Sequence, residues 1–521
     1  MNFTDVERVL QTCMVGIDDS DADRLEKRER RQQAQRDLEA LLQSIEPSTE
    51  EAYRLALIFS RAGPGDLSPL RLALDLARRA HGNGHPEAGL LVAQCVDRLL
   101  YFEHKPQRYG TVRPTIAGEA RLPALDPSVT DEERAQLGLP PATQLRREVE
   151  QANRNSARQV AEHGLPEGAN LRRVYRPLRP AALAEVLGER SEAVWRDGDD
   201  VVFCWHGSAS AVTVWFGIEM AMEQLEGSDL WVLVVRIGDL DRAAFSYRFV
   251  PADGHEPRQW AERSGTWRGP EAPPAPAVAQ TLVGELRTVE LDSAALDERR
   301  RIHVYLPPGQ DRRNVPGVLY ATDGRVSAEL IEPLVLAGRI PPIVSVGVTF
   351  GDDPGADRRA EEYLPGFQPE RFEAHRRFFV EEVPARTEAE LGVLPSREDR
   401  AIFGVSNGAA FAASMGVRHP ERFGTVIAFS LGITGAAPAW APGEAPRHYL
   451  CAGSLEEGFE RGTRRWAEVV RAGGAEVLHR TWVSGHDPAM WDGELPKALE
   501  WAYGSGRRLA STASKCGPGG G

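Results

Sequence analysis

The sequence predicts a multidomain protein: an N-terminal α-helical domain, then a small β-sandwich, then a C-terminal α/β domain. Three observations predict it. Helix-period apolar residues fill the first 160 positions, short β-rich runs between turn residues occupy 168–269, and after Gln280 buried-looking strands alternate with helical stretches. The 521 residues leave room for about three domains, each able to bury a core.

In residues 1–160, Leu25, Leu38, Leu41 and Leu42 recur in the charged stretch from Arg24 to Glu46. Helix-spaced apolar residues also mark Ala52 to Ala62, Leu70 to Ala80 and Leu90 to Leu100. Pro and Gly punctuate 106–140, and a polar helix is expected near 144–160. Asp97, Arg98, His104, Gln107 and Tyr109 are expected to form a buried hydrogen-bond network rather than line a polar groove. His81 and His85 are four apart, but Gly82 and Gly84 between them count against a helical metal site.

The β-rich part, 168–269, alternates in Ala193-Val194-Trp195, turns at Asp197-Gly198 and resumes in Val201 to Trp205. Further runs follow at Ala211 to Phe216, Leu230 to Ile237 and Phe245 to Phe249. Residues 270–280 form a stiff Pro/Ala linker. In 281–508, strands are expected at Arg301 to Leu306, Val315 to Ala321, Pro342 to Val348, Ala401 to Phe403, Thr425 to Phe429, His448 to Ala452 and Val477 to Trp482. Residues 509–521, small, polar and Gly-rich, are expected to be a disordered tail.

Composition narrows the function. Lys+Arg 62 against Asp+Glu 76 leaves a net charge of −14, which counts against a nucleic-acid coat or an anionic-membrane binder. No apolar run of about 18 residues suggests a membrane helix, and MNFTDVERVL lacks the blocks of a secretory signal. Cys13, Cys95, Cys204, Cys451 and Cys516 are scattered and never in a C-x-x-C pair, as in reduced cytoplasmic thiols. The expectation is a soluble cytoplasmic protein with no metal, no cofactor, no nucleic acid and no membrane partner.

The chemistry concentrates in the last domain. Gly404-Val405-Ser406-Asn407-Gly408 is a G-x-S-x-G between an apolar strand and an Ala-rich helix. A serine on that tight turn projects its hydroxyl from the sheet, and the helix N-terminus aims amides at a developing oxyanion. Without that chemistry, Ser406 would merely cap the helix. Serine needs a base and an acid to orient it. His486, in a loop after an apolar strand, is the candidate base, since His448 and His479 fall in strands. The acid is expected at the end of the strand reaching Ala452, where Glu456 is the choice and Glu457 the close rival. The oxyanion donors are expected to be the amide of Asn407 and that of Gly324 or Arg325, after an apolar strand ending in Asp323-Gly324.

These motifs together resemble the enterochelin (ferric enterobactin) esterase family, within the esterase D group of α/β hydrolases. Its marks are Asp323-Gly324, Arg359-x-x-Glu362-Tyr363-Leu364-Pro365, Phe378 to Pro384, the Ser406 elbow, His419-Pro420-Glu421-Arg422-Phe423, Gly453 to Glu456, and Gly485-His486-Asp487 with Trp491. Val201 to Trp205, Asp229-Leu230-Trp231 and Phe245 to Phe249 resemble the immunoglobulin-like domain that precedes the hydrolase there. The resemblance covers roughly 190–505. It implies Ser406, Glu456 and His486 as a triad, with Arg359 either binding substrate or forming a structural salt bridge. Ser484-Gly485 stands where the family often has Gly-Gly, and Gly408-Ala409 where it often has Gly-Gly. The N-terminal part resembles an uncharacterised bacterial helical family through Val96-Asp97-Arg98, Gln107 to Thr111, Leu125-Asp126-Pro127 and Glu132 to Leu139.

The implied function is a serine esterase, a carboxylic ester hydrolase acting on a small-molecule natural product through an acyl-enzyme. A siderophore-type lactone, an iron chelator, comes first. Two alternatives stay open: an acyltransferase using the same nucleophile, and a non-catalytic binding or scaffold protein with a degenerate hydrolase domain.

Overall fold

The computed structural model describes residues 3–12, 21–60, 67–103, 105–252, 265–309, 317–352, 357–365, 367–392, 395–432 and 440–504. Cys13, His104, Cys516 and the 509–521 tail lie outside the described residues. The chain divides into two compact units, Met1–Glu162 and His163–Gly521.

The first unit is helical. Helices α1 (Phe3–Thr12), α2 (Asp21–Leu42), α3 (Thr49–Phe59), α4 (Ser68–Gly82) and α5 (Ala88–Phe102) share a core that buries Leu38, Leu55, Phe59, Leu70 and Leu91. A capping box sets the start of α3, with Ser48 and Glu51 satisfying each other's backbone N–H. The Pro/Gly stretch holds a two-residue hairpin, β1 (Thr115–Ile116) and β2 (Glu119–Ala120), and the short α6 (Asp131–Gln136) before α7 (Ala142–His163). The expected polar network is there only in part: Arg98 donates to Ser60 O and Gln107 pairs with the Val112 backbone, and the buried centre is Asp97. Its carboxylate is fully buried and accepts from the N–H groups of Arg108, Tyr109 and Thr111 and from the Thr111 hydroxyl, at 2.8–2.9 Å.

The second unit opens with two antiparallel sheets. Its elements are β3 (Leu171–Arg173), α8 (Pro180–Leu187), β4 (Glu192–Asp197), β5 (Asp200–His206), β6 (Val212–Phe216), β7 (Met220–Ala221), β8 (Glu223–Gln224), β9 (Leu230–Ile237), β10 (Ala244–Pro251) and β11 (Gly265–Arg268). One sheet runs β3-β9-β5-β4 with β8 on β9, the other β11-β10-β6-β7. They face each other through Phe203 of β5, whose ring lies 5.7–6.5 Å from those of Phe245, Tyr247 and Phe249 on β10.

An eight-stranded sheet follows, in the order β12-β13-β15-β14-β16-β17-β18-β19. Its strands are β12 (Glu285–Ser293), β13 (Glu298–Leu306), β14 (Gly317–Ala321), β15 (Ile343–Val348), β16 (Arg400–Val405), β17 (Thr425–Phe429), β18 (Arg447–Gly453) and β19 (Val477–Trp482). From β15 to β19 all neighbours are parallel; β13 alone runs against the rest, antiparallel to both β12 and β15. The seven expected strands are there within a few residues. β12 was not expected, because its alternation of Glu, Arg, Thr and Asp with Leu and Val suits an edge strand with one wet face and carries little apolar signal.

Crossover helices cover both faces of this sheet, as parallel strands require. Helices α9 (Ala328–Leu336) and α15 (Pro488–Tyr503) bury Ile331, Met490 and Leu495 on one face. On the other lie α10 (Arg358–Tyr363), α11 (Pro369–Arg377), α12 (Val383–Leu391), α13 (Asn407–Arg418) and α14 (Glu457–Ala472), packed through Phe372, Phe411 and Trp466. The facing sheets are not held by the linker alone: the Ala244 N–H of β10 donates to Val483 O beyond β19, at 2.9 Å. Among the described residues no helix is long and apolar enough to cross a membrane.

Candidate active site

Strand β16 delivers its chain to Ser406, and α13 leaves from Asn407. Ser406 sits at φ 57°, ψ −125°, a conformation strained for any residue with a side chain. The flanking glycines follow from sterics. A Cβ on Gly404 would stand 2.0 Å from Gly408 O, and one on Gly408 would stand 2.2 Å from Thr322 Oγ1. The spacing read in the sequence is therefore what lets the elbow close. Ser406 is half-buried, and its N–H donates to Phe429 O of β17 at 3.0 Å.

Strands β16, β17 and β18 are consecutive parallel neighbours, so Ser406, Ser430 and Gly453 stand side by side at their C-terminal ends. Glu456 follows in the turn after β18 and is 8% exposed. Its Oε1 accepts from the Ser430 hydroxyl at 2.7 Å and the Gly453 N–H at 2.8 Å. Its Oε2 lies 2.7 Å from His486 Nδ1. The Ser430 hydroxyl also accepts from Trp491 Nε1 at 2.8 Å. The imidazole is walled by rings, with Phe459 at 4.3 Å and Trp491 edge-on at 4.9 Å between centroids. The loops carrying Glu456 and His486 also touch directly: Leu455 N–H donates to Ser484 O at 2.9 Å, and a Cβ on Gly453 would sit 2.0 Å from that oxygen.

Glu457 points elsewhere. Its Oε1 accepts from Arg172 of β3 at 2.7 Å, so of the two neighbouring glutamates only Glu456 meets His486. His448 is fully buried in β18, and burial pushes its imidazole down to about 4. His479 lies in β19, also held below its ordinary value by burial.

The expected oxyanion loop needs a correction at Gly324. This residue, at φ 66°, donates its N–H to Val348 O at 2.9 Å. The bond forms because the loop lies against β15, where a Cβ on Gly347 would come within 2.3 Å of Gly324 O. Arg325 N–H closes the turn onto Thr322 O at a longer 3.2 Å, and its guanidinium pairs with Asp492 of α15 at 2.7 Å. Asn407 is the first residue of α13, so its N–H has no acceptor within the helix.

Arg359 takes the salt-bridge alternative. Its guanidinium is bidentate on Asp323, at 2.7 and 3.0 Å, and donates to Val405 O next to the elbow at 3.1 Å. Burial disfavours its charge, but Asp323 more than offsets this and holds it above the usual arginine range. Asp323 N–H donates in turn to the Tyr363 hydroxyl at 2.9 Å.

The sequence does not point to Ser430 or Phe459 as site residues, nor to Asp323 as the carboxylate that holds Arg359. Nothing in the local pattern marks Ser430, although its position one residue past an apolar parallel strand is a usable signal in hindsight. Two cavities adjoin the Asp323-Gly324-Arg325 loop, neither lined by Ser406, Glu456 or His486. One of about 820 Å³ lies among Arg268, Pro276, Val278, Arg325 and Asp492. One of about 530 Å³ lies among Arg301, His303, Asp323 and Thr349. Among the described residues no group of three or more His, Cys, Asp and Glu side chains could hold a metal ion.

Residues 293–502 match the family model described as "Putative esterase". Solved structures similar to the chain include the enterochelin esterase of Shigella flexneri, at 17% identity and TM-score 0.47, over 63% of this chain and 98% of that one. The ferric enterobactin esterase of Salmonella typhimurium is similar at 16% and 0.48, over 62% and 98%. A ferulic acid esterase of Anaeromyces mucronatus is similar at 17% and 0.35, over 42% and 91%. No curated protein matches the chain. The C-terminal region carries an esterase-family domain, and the activity class that goes with it is carboxylic ester hydrolysis.

Proposed function

We propose that the chain is a serine esterase in which Ser406 is the nucleophile, His486 the general base and Glu456 the acid that orients the base. The observation that carries the reading is the 2.7 Å contact of Glu456 Oε2 with His486 Nδ1; the same carboxylate binds Ser430 at the end of β17, the strand next to the one that ends in the strained elbow at Ser406. With Nδ1 committed to the carboxylate, Nε2 is the nitrogen available to the serine. It takes the Ser406 proton as Oγ attacks the ester carbonyl. The tetrahedral oxyanion is held by the Asn407 N–H and by the Arg325 N–H, which gives up its long turn bond. The imidazolium then protonates the leaving alkoxide. Water, deprotonated by the same nitrogen, releases the acid from the acyl-enzyme.

The substrate placed first is a siderophore-type lactone, on the motif resemblance, and more generally an ester of a small natural product. The facing sheets of 168–269 read as an immunoglobulin-like sandwich, preceding a hydrolase domain at 281–508 and following a helical domain at 1–160. A cytoplasmic home suits the buried free thiols of Cys95, Cys204 and Cys451.

The test is turnover of p-nitrophenyl butyrate and labelling by a fluorophosphonate probe. Wild type should do both, and Ser406→Ala should lose both while staying folded. Undiminished labelling of Ser406→Ala would remove the assignment. Ferric catecholate lactones, with product acids resolved by chromatography, then test the substrate. Turnover no faster than of p-nitrophenyl butyrate would count against it.

A further inference from the structure

The stretch carrying His486 is not held by the esterase domain alone. Asp487, the next residue, is fully buried. Its Oδ1 caps α15, accepting the Ala489 N–H at 2.6 Å, while its Oδ2 accepts the N–H of Ser246 on β10. One carboxylate thus ties the helix that follows the base to a strand of the facing sheets.

Steric contacts repeat the connection. A Cβ on Gly485 would meet Gly217 O at 2.0 Å, and one on Gly217 would meet Asp487 Oδ2 at 2.7 Å and Phe245 Cβ at 2.6 Å. The two chains pass each other with room only for glycine. Val483, just upstream, accepts the Ala244 N–H. On the acid side, Arg172 of β3 pairs with Glu457, adjacent to Glu456. The facing sheets therefore grip the chain on both sides of His486 and immediately after Glu456.

We propose that Asp487 is a positioning residue through which the facing sheets set the placement of His486 against Ser406, making those sheets a working part of the hydrolytic site. This rests on the triad reading above. The physical reason is the sensitivity of proton transfer to geometry: displacement of a reacting group by about 1 Å can cost about 100-fold. Glu456 fixes the ring's tilt, and Asp487 fixes the backbone that carries it.

The test uses the full chain with two substitutions, one on each side of the contact. Asp487→Asn keeps the shape but leaves one of the two N–H groups facing an amide NH₂. Gly217→Ala leaves every residue of the esterase domain intact and pushes the sheets off the base loop. Active sites are counted with the fluorophosphonate, and kcat is expressed per labelled site, so that a misfolded fraction drops out. The expected result is a fall in kcat per labelled site of about 10- to 100-fold in both variants. KM should stay within about twofold, since substrate contacts are untouched. Labelling should slow by the same factor as kcat.

Wild-type kcat per labelled site in both variants would overturn the proposal and leave the triad standing. Activity lost only in proportion to the labelled fraction would overturn it equally, as that is what a purely structural contact predicts. Ser406→Ala run in parallel separates this from failure of the triad itself: a labelled Ser406→Ala protein would remove both readings.

Discussion

Asp97 in the helical unit and Glu456 in the esterase domain are both buried carboxylates supplied with hydrogen-bond donors, yet their surroundings differ in kind. Asp97 accepts from three main-chain N–H groups and one threonine hydroxyl, none of which can usefully give up its proton. Glu456 accepts from a main-chain N–H, a serine hydroxyl and an imidazole whose second nitrogen is uncommitted to it. The first arrangement ends in the backbone and can only staple. The second ends in an imidazole, which on the proposed triad moves a proton. A buried carboxylate is thus a sign of function only when the chain of donors leads out to a titratable group.

The largest effect expected from breaking this contrast is on turnover. Glu456→Gln should lower kcat by about 10³- to 10⁴-fold, because the wrong imidazole tautomer is favoured. Glu457→Gln should stay within about threefold, since its carboxylate meets Arg172 and not His486. Steady-state kinetics of the pair also tests which glutamate is the acid.

Asp97→Ala should do the opposite. It strands buried N–H groups and should cost about 3 kcal/mol in the unfolding of the first unit, with kcat unchanged. Urea unfolding followed by far-UV circular dichroism measures the first, and the butyrate assay the second.

His448 sharpens the comparison as a buried base with no carboxylate partner. Its folded value of about 4 lies below the ordinary 6.5, so the unfolded chain binds a proton that the folded one refuses. Stability should therefore be undiminished by this group above pH 6.5 and fall as the pH drops towards 4. By pH 5 the loss is about 2 kcal/mol. His448→Gln should flatten that part of the curve, and urea midpoints at pH 7 and 5 would show it. An unchanged slope would mean that His448 is charged in the folded state.

Ser430→Ala is expected to have a much smaller effect on turnover than Glu456→Gln. It removes one of the donors on Glu456 Oε1 and the acceptor of Trp491 Nε1. The expected fall in kcat is about 10-fold, with about 1 kcal/mol of stability lost. A change below twofold would show that Gly453 N–H alone holds the carboxylate.

What could be read from the sequence tracks how local each feature is. The elbow was legible because two glycines around Ser406 answer clashes within four residues of it. His486 was legible from its loop after an apolar strand. Glu456 could not be separated from Glu457, because the answer depends on Arg172, far earlier in the chain. Gly324 was misjudged for a similar reason: its amide is taken by Val348 on a strand that local turn chemistry does not reveal. The Pro/Ala linker reads as a boundary, whereas the Ala244–Val483 and Ser246–Asp487 bonds and the close passage of Gly217 by Gly485, all distant in sequence, join the parts at the loop carrying His486.

The most direct measurement is tandem mass spectrometry of the native protein after fluorophosphonate treatment. The account predicts a single adduct on the Ser406 hydroxyl, lost or greatly slowed in His486→Ala protein that remains folded. An adduct on some other side chain, or labelling of Ser406 at the wild-type rate without His486, would contradict it.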